Sequence, residues 1–249
     1  MARLMNKKAV VTGGTTGIGF ASAKAMIAEG ARVIITGQDA ARVKGAANTL
    51  GEHAHGFVAP AQDPIAAEKL ADEVATKFGK IDILFANAGV SWPGALADVT
   101  KENAEAQMAI NFIGPLLTLQ KMVPHLNNPA SVIFTTSCLD QLGSAGMGVY
   151  SASKAALRSI ARTYSAELKD QGVRINTIAP GPIETPIYGK LGMSEAEIGE
   201  MASEILKNVP LGRFGSADEI AEAVVFLASD GSRYMLGEEI TLDGGWSNL

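Results

Sequence analysis

Residues 1–19 read MARLMNKKAVVTGGTTGIG. Four glycines, Gly13, Gly14, Gly17 and Gly19, follow the short apolar run Ala9-Val10-Val11. Glycine is needed where no Cβ fits: a tight turn, a positive φ, or a ligand lying against the backbone. The apolar run reads as a buried strand. Ile18 to Ala28, rich in alanine with apolar residues at helical spacing, reads as a helix. Strand, glycine turn and helix form the arrangement that binds a dinucleotide pyrophosphate on free N–H groups at the helix start. Taken alone, the same glycines also suit a flexible loop.

The alternation begun there continues to the end of the chain. Further strands are expected at Arg32 to Thr36, Gly56 to Ala59, Ile81 to Ala86, Ser131 to Thr136, Val173 to Ile178 and Glu238 to Leu242. Helices are expected at Ala40 to Leu50, Ile65 to Phe78, Lys101 to Leu126, Tyr150 to Leu168 and Ala217 to Ala228. Strands with so little polar alternation belong in a parallel sheet covered on both faces. The expectation is an α/β, doubly wound Rossmann fold with a seven-stranded parallel sheet, one domain over residues 1–249. One segment breaks the rhythm: residues 182–210, with prolines at both ends and a helical middle, expected to be a substrate-binding lid.

Composition narrows the function. The 249 residues suit one α/β domain, and 47% hydrophobic content is ample for a large core. A net charge of −5 without a basic run argues against a nucleic-acid binder. The single cysteine, Cys138, excludes an intrachain disulfide and fits a reducing compartment. It reads as a small apolar filler rather than a nucleophile. No signal peptide is recognisable and no apolar run approaches the ~18 residues of a membrane span, so a cytoplasmic location is expected. His53, His55 and His125 make no metal cluster with the cysteine.

Tyr150-Ser151-Ala152-Ser153-Lys154 carries chemistry. Tyr150 and Lys154 are four apart on a helix and project from one face. A phenol of pKa ~10 is a poor base at neutrality, and a nearby ammonium favours its phenolate. Such a pair serves as general acid and base for an alcohol and its carbonyl. Alone, it would better suit a core tyrosine beside a surface lysine.

Further residues accompany it. They are Thr12-Gly13-x-x-x-Gly17-x-Gly19, Asn87-Ala88-Gly89, Asn111 in Ile110-Asn111-Phe112, Ser137, Pro180-Gly181 with Thr185, and Asp243-Gly244-Gly245. With these motifs the chain resembles the short-chain dehydrogenase/reductase family over essentially its full length, most closely its 3-oxoacyl-(acyl-carrier-protein) reductase type and related carbonyl reductases. The resemblance implies hydride transfer between a nicotinamide cofactor and a ketone or secondary alcohol. It implies that Tyr150 exchanges the proton, that Lys154 lowers the tyrosine pKa and holds the cofactor ribose, and that Ser137 bonds the substrate oxygen. Asn111 would kink its helix and position a water. The intact set Asn111, Ser137, Tyr150 and Lys154 argues for an enzyme over a non-catalytic cofactor sensor on the same fold.

The resemblance also implies the cofactor site. Gly13, Thr15, Thr16, Gly17, Ile18 and Gly19 form its turn, with Gly37 and Gln38 after the second strand. Ala61, Asn87, Ala88 and Gly89 follow, then Tyr150 and Lys154, and Pro180, Gly181, Ile183 and Thr185. Relatives specific for NAD generally carry an acid where Gly37 stands, so nothing there repels a 2′-phosphate. Gln38, Thr36 and Thr16 can bond a phosphate, and Arg42 lies one turn into the helix that Asp39 caps. NADP(H) is favoured, with NAD(H) the alternative. Pro60 replaces an aspartate common near the adenine. The substrate pocket is expected among Ser91-Trp92-Pro93, Leu139 to Gly143, Ile187, Tyr188, Leu191 and Met193, with Ser137, Leu139, Tyr150, Trp92 and Tyr188 against the substrate. Its apolar lining favours a hydrophobic or medium-sized carbonyl compound. Arg158, Arg162 and Arg213 are the candidate landing surface for an acyl carrier protein. A homotetramer is implied.

Overall fold

The strand residues divide by parity. Val10, Ile34, Leu84, Val132 and Phe134 enter one apolar core, while Ala9, Val11, Val33, Ile35, Ile83, Phe85 and Ile133 enter a second. A pleated strand sends alternate side chains to opposite faces, so two separate cores require a sheet buried on both sides. The computed structural model describes residues 2–185 and 194–249. In it β1 (Lys8–Thr12), β2 (Arg32–Gly37), β3 (Ala54–Val58), β4 (Ile81–Ala86), β5 (Leu126–Thr135), β6 (Val173–Pro180) and β9 (Glu239–Leu242) form one sheet in the order β3-β2-β1-β4-β5-β6-β9. Every pairing in it is parallel.

Helices α3 (Pro64–Phe78), α5 (Gly114–Met122) and α6 (Gly148–Leu168) cover the first core through Leu70, Val74, Leu119, Met122 and Leu157. Helices α1 (Gly17–Ala28), α2 (Ala40–Leu50) and α8 (Ala217–Ala228) cover the second through Ala23, Met26, Ala46, Ile220 and Val224. The chain starts at β1, winds outward to β3, then returns to β4 on the other side of β1. The strand order therefore reverses between β1 and β4, where a crevice opens at the carboxyl ends of the strands. Asp39 and Asp63 accept from Arg42 N and Ile65 N and so cap α2 and α3.

Three stretches differ from the sequence expectation. The long helix of residues 101–126 is α4 (Lys101–Met108), a π-turn (Ala109–Ile113) and α5, closed by a short turn at Val123–His125 that contains Pro124. The fifth strand starts earlier, because Leu126 already pairs with Ile81 across a register irregularity. The third strand likewise starts two residues earlier and ends one earlier, held by Val33 opposite Ala54. Within residues 182–210 the described parts are β7 (Ile183–Glu184), paired with β8 (Gly215–Ser216), and α7 (Glu195–Leu206). Ile187, Tyr188, Leu191 and Met193, expected at the pocket, lie outside the described residues.

Candidate active site

The crevice is a cavity of about 940 Å³. At one end it is lined by Gly13, Thr15, Thr16, Gly17 and Ile18 of the glycine turn, and by Gly37, Gln38, Asp39 and Arg42 beyond β2. Ala61, Asn87, Ala88 and Gly89 line its middle. Ser137, Leu139, Tyr150, Lys154, Trp92, Pro180, Gly181, Ile183 and Thr185 line the far end.

The turn is built by close backbone approach. Gly13 has φ +64°, and a Cβ there would lie 2.9 Å from Ala88 Cα. A Cβ on Gly19 would lie 2.3 Å from Gly13 O and 2.6 Å from Asn87 Nδ2. Gly19 thus lies beneath the turn, where helix and sheet pack too closely for a side chain. Thr16 sits at the start of α1 without a side-chain cap, and the first turn carries no acid, so the helix start presents N–H groups to the cavity. A glycine cradle closed to any Cβ and an uncapped helix start fit a nucleotide pyrophosphate.

Asn87 stitches three strand ends. Its Nδ2 donates to Thr12 O (3.2 Å) and Gly13 O (3.4 Å), and its Oδ1 accepts from Thr135 Oγ1 (3.2 Å). Asp243 holds the opposite wall by accepting from Gly245 N and Ser247 N. Burial pushes its carboxyl up, but the Ser247 hydroxyl together with these N–H bonds outweighs that and leaves it below its ordinary value. A Cβ on Gly181 would lie 2.5 Å from Asp243 Cα, so the C-terminal Asp-Gly-Gly backs the Pro180-Gly181 turn.

Tyr150 and Lys154 share a face of α6, with Lys154 Nζ 5.8 Å from the tyrosine ring centroid. Lys154 is buried, and its Nζ donates to Thr135 O at 2.8 Å. Burial pulls it down to about 8, opposed by the charge of Asp140. Burial pushes the Tyr150 phenol up to about 12, with Ser137 drawing it the other way and Cys138 and Asp140 adding to the rise. Desolvation dominates this phenol. Ser137 Oγ accepts from Leu139 N at 3.2 Å and so orders the turn Cys138–Asp140. Burial pushes the Cys138 thiol up to about 12, as suits an inert filler.

Asn111 is fully buried in the π-turn and does not line the cavity. Its Nδ2 donates to Val90 O (2.8 Å) and Ser153 Oγ (3.1 Å), and its Oδ1 accepts from Val90 N (2.8 Å). Both amide hydrogens are spent on protein. A Cβ on Gly89 would lie 3.2 Å from Asn111 Oδ1 and 3.3 Å from Lys154 Nζ, so the three converge at the cavity wall. Sequence reasoning missed Gln107, one turn before Asn111, whose Oε1 accepts from Trp92 N at 2.9 Å. A polar pair at helical spacing was the available signal. It also missed Met147, Met201, Ile205 and Trp246, which extend the apolar end of the cavity. Among the described residues no cluster of three or more acidic, histidine or cysteine side chains can hold a metal, and no helix is long and apolar enough to cross a membrane.

The parallel order, the glycine cradle and the serine-tyrosine-lysine floor define a nicotinamide-dependent oxidoreductase of Rossmann type. A family model described as enoyl-(acyl carrier protein) reductase matches residues 13–247. The chain is 33% identical over 248 residues to the 3-oxoacyl-(acyl-carrier-protein) reductase of Thermotoga maritima, covering 98% of each. It is 36% identical over 253 residues to the NADP-dependent (R)-specific alcohol dehydrogenase of Lentilactobacillus kefiri, again covering 98% of each. A crystal structure of a short-chain dehydrogenase from Burkholderia cenocepacia in complex with NADP superposes with a TM-score of 0.89 at 32% identity, covering 98% of this chain and 99% of that one. The chain belongs to the short-chain dehydrogenase/reductase family.

Proposed function

We propose that this protein reduces a hydrophobic or medium-sized ketone with NADPH, and oxidises the corresponding secondary alcohol in reverse. The observation that carries this reading is a single cavity joining the glycine cradle and Arg42 at one end to Ser137, Tyr150 and Lys154 at the other. Gly37 leaves the end of β2 without a carboxylate, while Gln38, Thr16 and Arg42 supply donors there. The NADP-bound relative of the same fold supports that choice.

When bound, the nicotinamide supplies or accepts the hydride. The protein then has to bind, orient and move a proton. Backbone N–H groups of the turn at Thr15 to Ile18 would hold the pyrophosphate. Ser137 Oγ would donate to the substrate oxygen and stabilise developing negative charge. The Tyr150 hydroxyl would give its proton to that oxygen in reduction and take one in oxidation. A phenol pushed up to about 12 by burial keeps its proton at neutrality. Lys154 would donate to the ribose and pass protons onward. Asn111 would act by fixing Val90 and through the backbone carbonyls its π-turn frees from helical bonding.

The far end of the cavity supports the substrate class. Trp92, Leu139, Met147, Met201, Ile205 and Trp246 line it, and the described part of the 182–210 segment contributes two of these from α7, in keeping with a lid. Exposed Tyr234, Leu236 and Leu249 near β9 are apolar surface of the kind a homotetramer would cover, and a cytoplasmic location suits a chain with one buried free cysteine. A panel of ketones and secondary alcohols, assayed separately with NADPH and NADH, tests the reading. Turnover of apolar ketones with NADPH is expected, and no turnover of any carbonyl with either cofactor would overturn it.

A further inference from the structure

Behind Ser137 lies a group of charged residues for which the reaction has no use. Asp140 ends the turn after β5 with its side chain wholly buried. Neither carboxyl oxygen has a hydrogen-bond donor among the described residues. Glu239, at the start of β9, lies against it with its side chain 5% exposed. The two carboxyls are served very differently. Glu239 Oε2 accepts from Thr136 Oγ1 (2.6 Å) and Thr177 Oγ1 (2.9 Å), and its Oε1 accepts from Gln141 Nε2 (3.0 Å) and faces Arg158 Nε (3.1 Å). Among the described residues Asp140 faces only the Arg158 Nη1 donor, at 3.6 Å and beyond hydrogen-bond reach.

An ionised carboxylate offers about four acceptor positions. Glu239 has donors around both oxygens, but the single hydroxyl hydrogens of Thr136 and Thr177 are also within reach of Ile178 O (3.0 Å) and Glu238 O (3.4 Å), so Oε2 keeps room for another donor, while Asp140 has no donor among the described residues. A buried carboxylate without donors is costly, whereas a protonated carboxyl beside a carboxylate satisfies both by donating to it. With one proton between them, the charges of Glu239 and Arg158 cancel and the group is neutral.

We propose that Asp140 holds a proton that it shares with Glu239 through a hydrogen bond behind the site, and that Asp140 is a positioning residue coupling this carboxyl pair to Tyr150 and Lys154. The coupling to the reaction rests on the function proposed above. Glu239 holds Thr136, immediately before Ser137, and Asp140 ends the turn that Ser137 opens, so the pair grips the serine from both sides. The groups facing Asp140 are Tyr150, Lys154 and Arg158 from α6, Glu239 from β9, and Cys138 on its own turn, with Asp243 beyond the cysteine. Burial and then the charge of Glu239 push Asp140 up to about 7, so the shared proton leaves to solvent near neutrality. The negative charge left behind raises the phenol of Tyr150 and the ammonium of Lys154. Alcohol oxidation, which needs the tyrosine as base, is then held back as pH climbs.

The test compares the wild type with Asp140→Asn, which is fixed in the neutral form. The two should oxidise an alcohol at similar rates near about pH 5.5, and the variant should be roughly threefold faster near about pH 9, the effect of half a pKa unit on the phenol. Infrared spectra of wild-type protein labelled with ¹³C-aspartate, titrated from about pH 5 to about pH 9, supply a readout that needs neither activity nor a variant. A protonated aspartic acid band should persist at about pH 6 and vanish through neutrality. Absence of that band, or a variant-to-wild-type rate ratio that does not change with pH, would overturn the proposal. If the band titrates while no carbonyl is turned over, the shared proton stands and the proposed reaction fails.

Discussion

Replacing Lys154 by methionine should leave a protein that is inactive and, at neutral pH, no less stable than the wild type. The side chain is 4% exposed. Burial lowers its ammonium from 10.5 to about 8. That difference corresponds to about 3 kcal/mol between the two protonation states. The folded chain holds this proton less tightly than the unfolded chain, so the penalty is complete below about pH 8, declines above it and is gone above about pH 10.5. Methionine removes the penalty but also removes the bond from Nζ to Thr135 O, at a cost of about 1–3 kcal/mol. The two nearly cancel at about pH 7 and only the cost remains in alkali. In urea unfolding, Lys154→Met should therefore lose about 2–3 kcal/mol relative to wild type between about pH 7 and about pH 10. A stability difference that is the same at both pH values would refute the reasoning.

Gly37→Asp should shift the kcat/KM ratio toward NADH by about tenfold or more, through repulsion of the 2′-phosphate. Its Cβ would lie 2.8 Å from Thr15 Cγ2, so the cleaner comparison adds Thr15→Ser, and an unchanged ratio in both would remove this position from cofactor choice. Ser137→Ala should lower kcat by about a hundredfold, with about 1 kcal/mol of stability lost as Leu139 N loses its acceptor; full activity in steady-state kinetics would contradict its role. Cys138 should resist alkylation in the native protein at about pH 8 and react once urea unfolds it, because its thiol stands at about 12. Rapid native-state labelling would show an open thiol.

The layered fold was legible because local and global signals agree. Apolar runs such as Val33-Ile34-Ile35 carry no polar alternation, since both sheet faces are covered. The glycines of the turn mark contacts that no Cβ survives, and Asp39 caps the helix it precedes. Boundaries set by tertiary contact were not legible. The π-turn adds a local bulge that hardly alters helical periodicity, and the early start of β5 depends on Leu126 meeting Ile81. The site divides in the same way. Ser137, Tyr150 and Lys154 lie close together on one strand end and one helix, within reach of a spacing argument. Asp140, Arg158 and Glu239 come from three elements, and their burial appears only when β9 docks beside β6. At Tyr150, likewise, spacing reveals the lysine next to the phenol but not the desolvation that raises it.

Tyr150→Phe decides most directly whether this cavity is the catalytic centre. The variant keeps the ring and removes only the hydroxyl that would exchange the proton. NADPH binding, followed by cofactor fluorescence, should stay within about threefold of wild type, a change worth less than about 1 kcal/mol. Turnover of any ketone accepted by the wild type should fall by about a hundredfold or more. A variant that binds NADPH and still reduces ketones at near wild-type rate would place the chemistry elsewhere.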